Sequence, residues 1–365
     1  MRIGVNLLFL YEITGIGVYA KNILENLGKI DKNNQYIIFV NSETKNDVFY
    51  SFQNFKYVEL PFKASNRLIR IFFEQIVLPF LCLRYKITVL FNPSIFNPFL
   101  CFCKKIIVFH DFDFLYDKKK SFKNFYFKLN LHSAFKSQKI VTISNYIKNE
   151  TISRYPFLAS KVNMIYEGPP KINNFFLQNN TNDAFNIEKP YIFYIGLILP
   201  RKNIENLIRA FKIFSEKHKN FNLVLAGRIV EGNNNVEKAI EELQLKNKVK
   251  FIGYVQEREK VLLYIHSMCL AFLSIREGFG LPILEAQSLG VPVLASNMTS
   301  LPEVGGDGAS YVDPYNVEEI AKKMEEIVFN EKLRKKLIQK GYENVKRFSW
   351  EKSANELLNL FSSIW

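Results

Sequence analysis

The sequence has little of what builds disulfide frameworks or zinc sites. Among 365 residues there are four cysteines, Cys82, Cys101, Cys103 and Cys269, which form no Cys-x-x-Cys pair, and four scattered histidines. This spacing predicts neither a structural zinc site nor a set of disulfide bonds. We therefore expect a protein of a reducing compartment, the cytoplasm.

The sequence also lacks an uninterrupted hydrophobic run long enough to cross a membrane. The uncharged stretch 87–103 contains Pro93 and Pro98, which break it where a spanning helix would need continuity. The apolar segment 1–10 is followed by no small-residue cleavage site, so we interpret it as a first buried strand and not as a signal peptide. The sequence contains no internal repeat.

Negative charge is scarce in the first half of the chain. The net charge is +14, and residues 1–180 carry +12 of it. An excess in one half predicts a surface that faces an anionic partner, although lysine-rich composition is also common in chains from AT-rich genomes. No helix-turn-helix, zinc-finger or RNA-recognition signature accompanies it, so we expect no nucleic acid.

The other anionic candidate is the inner face of a membrane, where each nearby Lys or Arg contributes roughly 1 kcal/mol of attraction. The segment 67–80 mixes cations with bulky apolar residues. This pattern is typical of an interfacial helix, and equally of a core helix with charged ends. It makes peripheral attachment to the inner face of the cytoplasmic membrane an expectation.

Short apolar runs alternate with helical patterns along the whole sequence. Thirteen runs predict strands, near 2–8, 35–41, 56–60, 87–91, 105–109, 139–143, 162–165, 191–195, 222–226, 249–252, 268–273, 293–296 and 309–312. Such alternation predicts βαβ units and parallel sheets, and the chain is too long for one core. An Asn-rich stretch divides it, which predicts domains at 1–170 and 189–348 with a linker at 171–188.

The ten residues 277–286, Glu-Gly-Phe-Gly-Leu-Pro-Ile-Leu-Glu-Ala, are the most informative of the sequence. If the chain is helical from Leu281, Glu277 lies on the preceding loop and Glu285 in the first turns, both facing one pocket. The glycines allow the backbone to approach a ligand, and Pro282 suits a first helical turn. Since helix N-termini favour anions, the pattern predicts a site for a polyhydroxylated, phosphate-bearing ligand.

This decapeptide resembles the paired-glutamate motif of retaining glycosyltransferases of family 4, which have the GT-B fold. The resemblance implies an α/β protein with two Rossmann-like domains whose parallel sheets face a central cleft, and a last helix, 349–365, that returns to the first domain. It also implies that Glu277 hydrogen-bonds the donor hexose and Glu285 the ribose. The other donor-binding positions of this motif are Gly278, Phe279, Gly280 and Leu281.

A second group of site residues follows the strand predicted at 191–195. Arg201 and Lys202 precede a helix that Asn203 is placed to cap. Two cations there can clamp a diphosphate, whose charge rises as the sugar–phosphate bond breaks. The family has a diphosphate-binding Arg and Lys at matching positions, but its frequent Arg directly after the glycine is Leu197 here, so only Arg201 and Lys202 are carried over.

In the first half, Gly15 and Gly17 follow the first strand. They match a weak Gly-x-Gly-x-x-Ala dinucleotide fingerprint, but the second strand ends without the acid that would hold an NAD ribose. They also match the family's Gly-rich loop, which approaches the donor diphosphate or the acceptor. We therefore expect both glycines at the donor site.

His110 and Asp111 end the strand predicted at 105–109 and match the family's His-Asp pair, whose His lies close to the donor sugar. Asp111-x-Asp113 also resembles the Asp-x-Asp of metal-dependent GT-A transferases, in which carboxylates hold Mg2+ or Mn2+ against a diphosphate. The paired glutamates and the Arg-Lys pair have no place in a GT-A chain. The sequence therefore favours the first interpretation, without metal or other cofactor.

Together, the resemblance implies a metal-independent retaining transferase that moves a hexose from a nucleotide diphosphate sugar to a lipid-linked or membrane-proximal glycan in cell-surface polysaccharide synthesis. Similarity to bacterial O-antigen and capsule mannosyltransferases makes GDP-mannose the first donor to consider. Two alternatives stay open: a catalytically silent partner subunit that binds nucleotide sugar or lipid, and a nucleotide-sugar epimerase of GT-B architecture, which would convert free donor without an acceptor.

Overall fold

The computed structural model describes residues 1–10, 15–44, 50–116, 122–170, 187–230 and 235–364. These residues form two compact units. Unit 1 comprises Met1–Gly168 and Ser349–Trp365, and unit 2 comprises Pro169–Phe348. Most of the linker predicted at 171–188 lies outside the described residues.

Unit 1 is built on a seven-stranded parallel sheet in the order β3-β2-β1-β4-β5-β6-β7. The strands in the middle of the sheet are mostly apolar and buried because both faces of the sheet are covered there. They are β1 Arg2–Asn6, β2 Gln35–Asn41, β3 Phe55–Leu60, β4 Val89–Asn92, β5 Lys104–Phe109, β6 Lys139–Thr142 and β7 Val162–Met164.

The helices of unit 1 lie between these strands, with one further helix from the end of the chain. They are α1 Gly15–Ile30, α2 Arg67–Phe72, α3 Leu78–Arg84, α4 Asp113–Tyr116, α5 Phe122–Ala134 and α6 Asn145–Arg154, with a π-helical turn Phe73–Val77 between α2 and α3. The C-terminal helix Trp350–Ser363 packs against α1, and Ser349 caps it by accepting a hydrogen bond from the Lys352 N–H.

Unit 2 contains a six-stranded parallel sheet in the order β10-β9-β8-β11-β12-β13. The strands are β8 Tyr191–Ile195, β9 Asn222–Ala226, β10 Val249–Gly253, β11 Cys269–Phe272, β12 Val293–Ser296 and β13 Ala309–Val312. The helices are α7 Ile204–Lys217, α8 Asn235–Glu242, α9 Glu257–Ile265, α10 Leu281–Ser288, α11 Leu301–Gly305, α12 Val317–Phe329 and α13 Glu331–Val345.

All thirteen predicted strands are confirmed, and so is the α/β class with two parallel sheets. In each sheet the strand order reverses once, between β1 and β4 in unit 1 and between β8 and β11 in unit 2. Ligands of open parallel sheets bind outside the carboxyl ends of the strands at such a switch point. The loops after these four strands are therefore the places to examine for a functional site.

Among the described residues, no helix is both long and apolar enough to cross a membrane. The stretch 87–103, which lacks charge in the sequence, contains β4 and the loop that leads to β5. Its uncharged character therefore reflects a buried central strand of the unit 1 sheet.

Candidate functional site

The loops that follow β8 and β11 are joined to each other in unit 2. After β8 the chain forms a single 3-10 turn, Pro200–Lys202, and then enters α7. The Ile275 N–H donates to the Arg201 carbonyl at 2.8 Å, and Arg201 Nη1 donates to the Arg276 carbonyl at 2.9 Å. These bonds hold Arg201 and Lys202 of the first loop beside Glu277 of the second loop.

Arg201, Lys202 and Glu277 form an ion-pair group at this junction. Arg201 Nη1 lies 3.1 Å from Glu277 Oε2, and Lys202 Nζ donates to Glu277 Oε1. Burial would raise the pKa of Glu277, but the charges of Lys202 and Arg201 outweigh burial and hold that pKa below its ordinary value. Two cations share one carboxylate, so the group keeps one positive charge and is suited to an anion.

The loop that carries Glu277 is held by hydroxyl groups that the sequence interpretation missed. Thr299 Oγ1 accepts from the Glu277 N–H at 3.2 Å, and Ser300 Oγ donates to the carbonyls of Glu277 and Phe279 at 3.0 and 2.8 Å. Both residues lie in the stretch after β12. Their hydrogen bonds support the loop that carries Glu277.

The middle of the predicted motif is a tight turn into α10. Gly280 has φ +112°, and a Cβ there would lie 2.8 Å from Leu301 Cδ2, so this position requires glycine. The helix begins at Leu281 with Pro282 in its first turn, as predicted. The Phe279 ring is buried and stacks edge-on against Phe348 at 5.8 Å, so this residue offers a ligand its backbone and not its ring.

Glu285 lies in α10 and is bound by two residues of α9. Its Oε1 is 2.7 Å from Lys260 Nζ, and its Oε2 accepts from the Tyr264 hydroxyl at 2.8 Å. Burial and then Glu285 raise the pKa of Tyr264, while Glu285 and Glu257 overcome burial to raise the pKa of Lys260. Thus Glu277 and Glu285 have different partners, and neither Lys260 nor Tyr264 carried a signal in the sequence.

One local prediction near this site is wrong. Asn203 occupies the position before α7, but its side chain makes no capping hydrogen bond. The residue is left-handed, with φ 59°, and its Nδ2 donates to the Pro314 carbonyl at 2.6 Å. The amide therefore ties the turn of Arg201 and Lys202 to the chain beyond β13, a long-range contact that capping statistics cannot anticipate.

His110 follows β5 in unit 1 and is held by three neighbours. Its Nε2 lies 2.8 Å from the Pro93 carbonyl, its Nδ1 lies 3.6 Å from Glu167 Oε1, and its ring meets Tyr19 edge-on at 5.0 Å. Because a carbonyl can only accept, Nε2 carries the proton in this arrangement. Glu167 is 3% exposed. The sequence predicted no role for Glu167.

The remaining predicted residues of unit 1 lie at or near the starts of α1 and α4. Gly15 is the exposed first residue of α1, with open space where a Cβ would stand, while Gly17 is buried. Asp111 Oδ1 accepts from the Asp113 N–H at 3.1 Å at the start of α4. This bond gives the Asp-x-Asp pattern a local structural explanation.

Potential metal ligands converge elsewhere. In the described part of the chain, three such side chains lie together at Cys82, Cys101 and Cys103, whose sulfur atoms are within 4.8 Å of one another. The cysteine spacing in the sequence did not predict this convergence, because Cys82 is on α3 and the other two precede β5.

Comparison with known proteins agrees with the fold. Residues 178–344 match the family model described as glycosyl transferases group 1. O-antigen chain mannosyltransferase B of Escherichia coli is 29% identical over 245 residues, which cover 65% of this chain and 64% of that protein. O-antigen chain mannosyltransferase RfbU of Salmonella typhimurium is 29% identical over 209 residues, 57% of this chain and 56% of that protein. The chain thus spans less than two thirds of either relative.

A solved structure resembles the whole fold. Anabaena Alr3699/HepE, in complex with UDP and glucose, matches with a TM-score of 0.76 at 14% identity, over 99% of both chains. At this identity the likeness concerns the fold. With the two parallel sheets, it shows that the chain has the GT-B fold, and residues 178–344 match the group 1 glycosyl transferase model.

Proposed function

We propose that this chain transfers a hexose from a nucleotide diphosphate sugar to a glycan, with retention of configuration at the anomeric carbon and without a metal ion, as family 4 enzymes do. The observation that carries the proposal is the group of Arg201, Lys202 and Glu277 at the switch point of unit 2. A largely buried group with one net positive charge suits a diphosphate that becomes more negative as it leaves.

The proposed reaction breaks the bond between the anomeric carbon and the diphosphate oxygen, and the electron pair leaves with the diphosphate. The acceptor hydroxyl attacks the same face of the sugar, and its proton passes to the departing phosphate. Arg201 and Lys202 would stabilise the leaving group more in the transition state than in the ground state. Glu277 would hydrogen-bond the hexose, and Glu285 the ribose.

In unit 1 we assign His110 to the reactive face of the sugar, and Gly15 and Gly17 to the approach of the diphosphate or acceptor. Support for His110 comes from its neighbours, because Pro93, Glu167 and Tyr19 fix the ring in one orientation. A preorganised side chain loses less conformational entropy when a ligand binds.

The donor that we propose first is GDP-mannose, because the two O-antigen relatives are mannosyltransferases by name. The acceptor would be a lipid-linked glycan of cell-surface polysaccharide synthesis. An acceptor of this kind is held at a membrane, so the enzyme would act at the inner face of the cytoplasmic membrane.

A surface of unit 1 supports this location. Along α2, the π-helical turn and α3 the large apolar side chains that are exposed are Leu68, Ile69, Phe72, Ile76, Phe80 and Leu83, and we call them the apolar face. Leu68 is 72% exposed and Phe80 68%. Arg84 and Lys86 follow directly and are also exposed. Apolar side chains beside cations are typical of a helix that lies in the headgroup region of an anionic membrane.

A transfer assay tests the proposed function. The wild-type protein would be incubated with EDTA, labelled GDP-mannose or UDP-glucose, and lipid-linked glycan acceptors, and the product linkage would be determined by NMR. We expect one donor to be used and an α-linkage to arise from an α-linked donor. An inverted product would overturn retention, and donor conversion without an acceptor would identify an epimerase. Nucleotide binding without transfer from either donor would favour the silent partner.

A further inference from the structure

Three of the four cysteines meet beneath the surface of unit 1. Cys82 is buried on α3, and Cys101 and Cys103 are partly buried in the segment that leads to β5. The Sγ atoms of Cys101 and Cys103 are 2.9 Å apart, and all three sulfur atoms lie within 4.8 Å of one another. These three side chains are called the thiol cluster below.

The backbone before β5 turns the two thiols inward by alternation. Leu100 and Phe102 are 77% and 83% exposed, whereas Cys101 and Cys103 pack against the buried apolar cluster that contains Cys82. This segment therefore places its two largest apolar side chains in solvent and its two thiols against the third.

The distances suit a single metal ion. Zinc–thiolate bonds are about 2.3 Å long, so two sulfur ligands of a tetrahedral ion stand about 3.8 Å apart. The Sγ atoms of Cys101 and Cys103 are closer than this, at 2.9 Å, and no sulfur separation in the thiol cluster exceeds 4.8 Å. Binding of one ion would move the Sγ atoms of Cys101 and Cys103 apart toward this separation.

We propose that Cys82, Cys101 and Cys103 bind a thiophilic divalent ion of the zinc class as three thiolates, with solvent at the fourth position. Each thiol that is protonated in the metal-free protein gives its proton to solvent on binding. A divalent ion with three thiolates carries one negative charge, and the positively charged Lys105 lies two residues after Cys103 in the chain. Its Nζ also donates to Asn97 Oδ1 at 2.8 Å and to Ser133 Oγ at 3.1 Å, which holds it there.

Such an ion would cross-link two segments that bear exposed apolar side chains. The helix α3 carries Phe80 and Leu83, and the segment before β5 carries Leu100 and Phe102. The metal would hold these side chains in a fixed arrangement, and it would do so in the unit that does not contain Glu277. The inference does not depend on the transfer reaction, and it is tested without an activity assay.

The first experiment measures metal binding. Untagged protein, reduced and freed of metal under anaerobic conditions, is titrated with Zn2+ against a chromophoric chelator, and with Co2+ to record sulfur-to-metal charge-transfer absorption. We expect one equivalent per chain. Cys82→Ser, Cys101→Ser and Cys103→Ser should each weaken binding by more than about 100-fold, since loss of a supporting residue alone costs up to that much. The matched control is Cys269→Ser, a buried thiol of β11 in unit 2, which should bind as wild type.

A second experiment uses only the wild-type chain, because a cysteine variant that fails to fold would also lose metal binding. Alkylation of each cysteine is followed by mass spectrometry with and without Zn2+. We expect Zn2+ to slow the alkylation of Cys101 and Cys103 at least tenfold, while the fully buried Cys269 stays unmodified in both samples and reports an intact fold.

The proposal is overturned by a reduced wild-type chain that takes up no stoichiometric metal, by binding that survives each of the three replacements, or by alkylation rates that Zn2+ leaves unchanged. A chain isolated with a Cys101–Cys103 disulfide whose reduced form binds no zinc also contradicts it, and would point to a redox pair.

Discussion

Lys202 and Glu277 are 75 residues apart in the chain and form an ion pair in which each side chain is only about one-tenth exposed. The Lys202 ammonium also lies over the Phe272 ring, 5.1 Å from its centre. A charge that is shielded from solvent in this way acts strongly on a nearby ligand. The pair therefore contributes both to the packing of unit 2 and to the electrostatic potential at the proposed donor site.

Replacement of Lys202 by alanine should lower turnover by on the order of 100-fold or more, because a group that stabilises developing charge would be lost. Transfer rates measured at saturating donor would show the change. The matched control is Lys246→Ala, an exposed lysine of the same unit, which should keep the wild-type rate. A Lys202→Ala enzyme with wild-type turnover would remove the assignment of Lys202 to the diphosphate.

Replacement of Glu285 by alanine should weaken nucleotide binding by roughly 10- to 100-fold if this carboxylate holds the ribose, as expected for a hydrogen bond to a charged group. Calorimetric titration of the wild-type and Glu285→Ala proteins with GDP, UDP and ADP in EDTA would measure this loss of affinity. The same titrations would show which nucleotide base the protein prefers. Binding that requires Mg2+ or Mn2+ would instead favour Asp111 and Asp113.

Glu285→Gln provides the structural control for that experiment. Glutamine can still accept the hydrogen bond of Tyr264 but loses the charge that pairs with Lys260. If the alanine variant weakened binding only through disturbed packing, the glutamine variant would bind nearly as wild type. Equal weakening in both variants would support a direct role of the charge.

The stability of the protein should fall in acid because of Glu277. Its pKa is lower in the folded protein than in the unfolded chain, so the ion pair stabilises the fold above the ordinary pKa, and this contribution is lost as the pH falls through the folded pKa. We expect denaturant unfolding from about pH 6 to about pH 3 to show a smaller acid-dependent loss for Glu277→Gln than for wild type. Identical pH profiles would contradict the ion pair.

Glu74 should have the opposite effect. Burial raises its pKa to about 7, against the influence of Arg70 and of the Tyr126 hydroxyl, which donates to it at 2.8 Å. The pKa of Glu74 is higher in the folded protein than in the unfolded chain. The stability associated with its protonated carboxyl is therefore fully present below the unfolded pKa and is lost as the pH rises through about 7. Glu74→Gln should therefore gain stability relative to wild type between pH 5 and pH 8, by up to about 3 kcal/mol. Denaturant unfolding at pH 5 and pH 8 measures the stability of both proteins. If Glu74→Gln and wild type differed by the same amount at both pH values, the carboxyl would be ionised in the folded protein.

Loss of the apolar face should release the protein from membranes. We expect Phe72→Ser with Phe80→Ser to reduce sedimentation with phosphatidylglycerol vesicles at least tenfold, since each large apolar side chain contributes about 1.5–3 kcal/mol when buried. Tyr254→Ser is the control, because Tyr254 is 81% exposed in unit 2. Equal sedimentation of both variants would place membrane contact elsewhere.

Local patterns in the sequence determined the strands, the parallel α/β class and the start of α10. Apolar runs, glycine and proline act within a few residues, so their effects can be interpreted without knowledge of the fold. Gly280 is an example, because its backbone angle and its position before a helix are both local properties.

Only the tertiary structure decided which side chains meet. Glu277 is paired with Arg201 and Lys202, and Glu285 with residues of α9, because the sheet order brings the loops and helices of distant strands together. Long-range packing also explains why the Asn203 amide donates to the Pro314 carbonyl and does not cap α7. It likewise brings together the two segments that form the thiol cluster. Contacts of this kind depend on register and strand order, which no short stretch of the sequence contains.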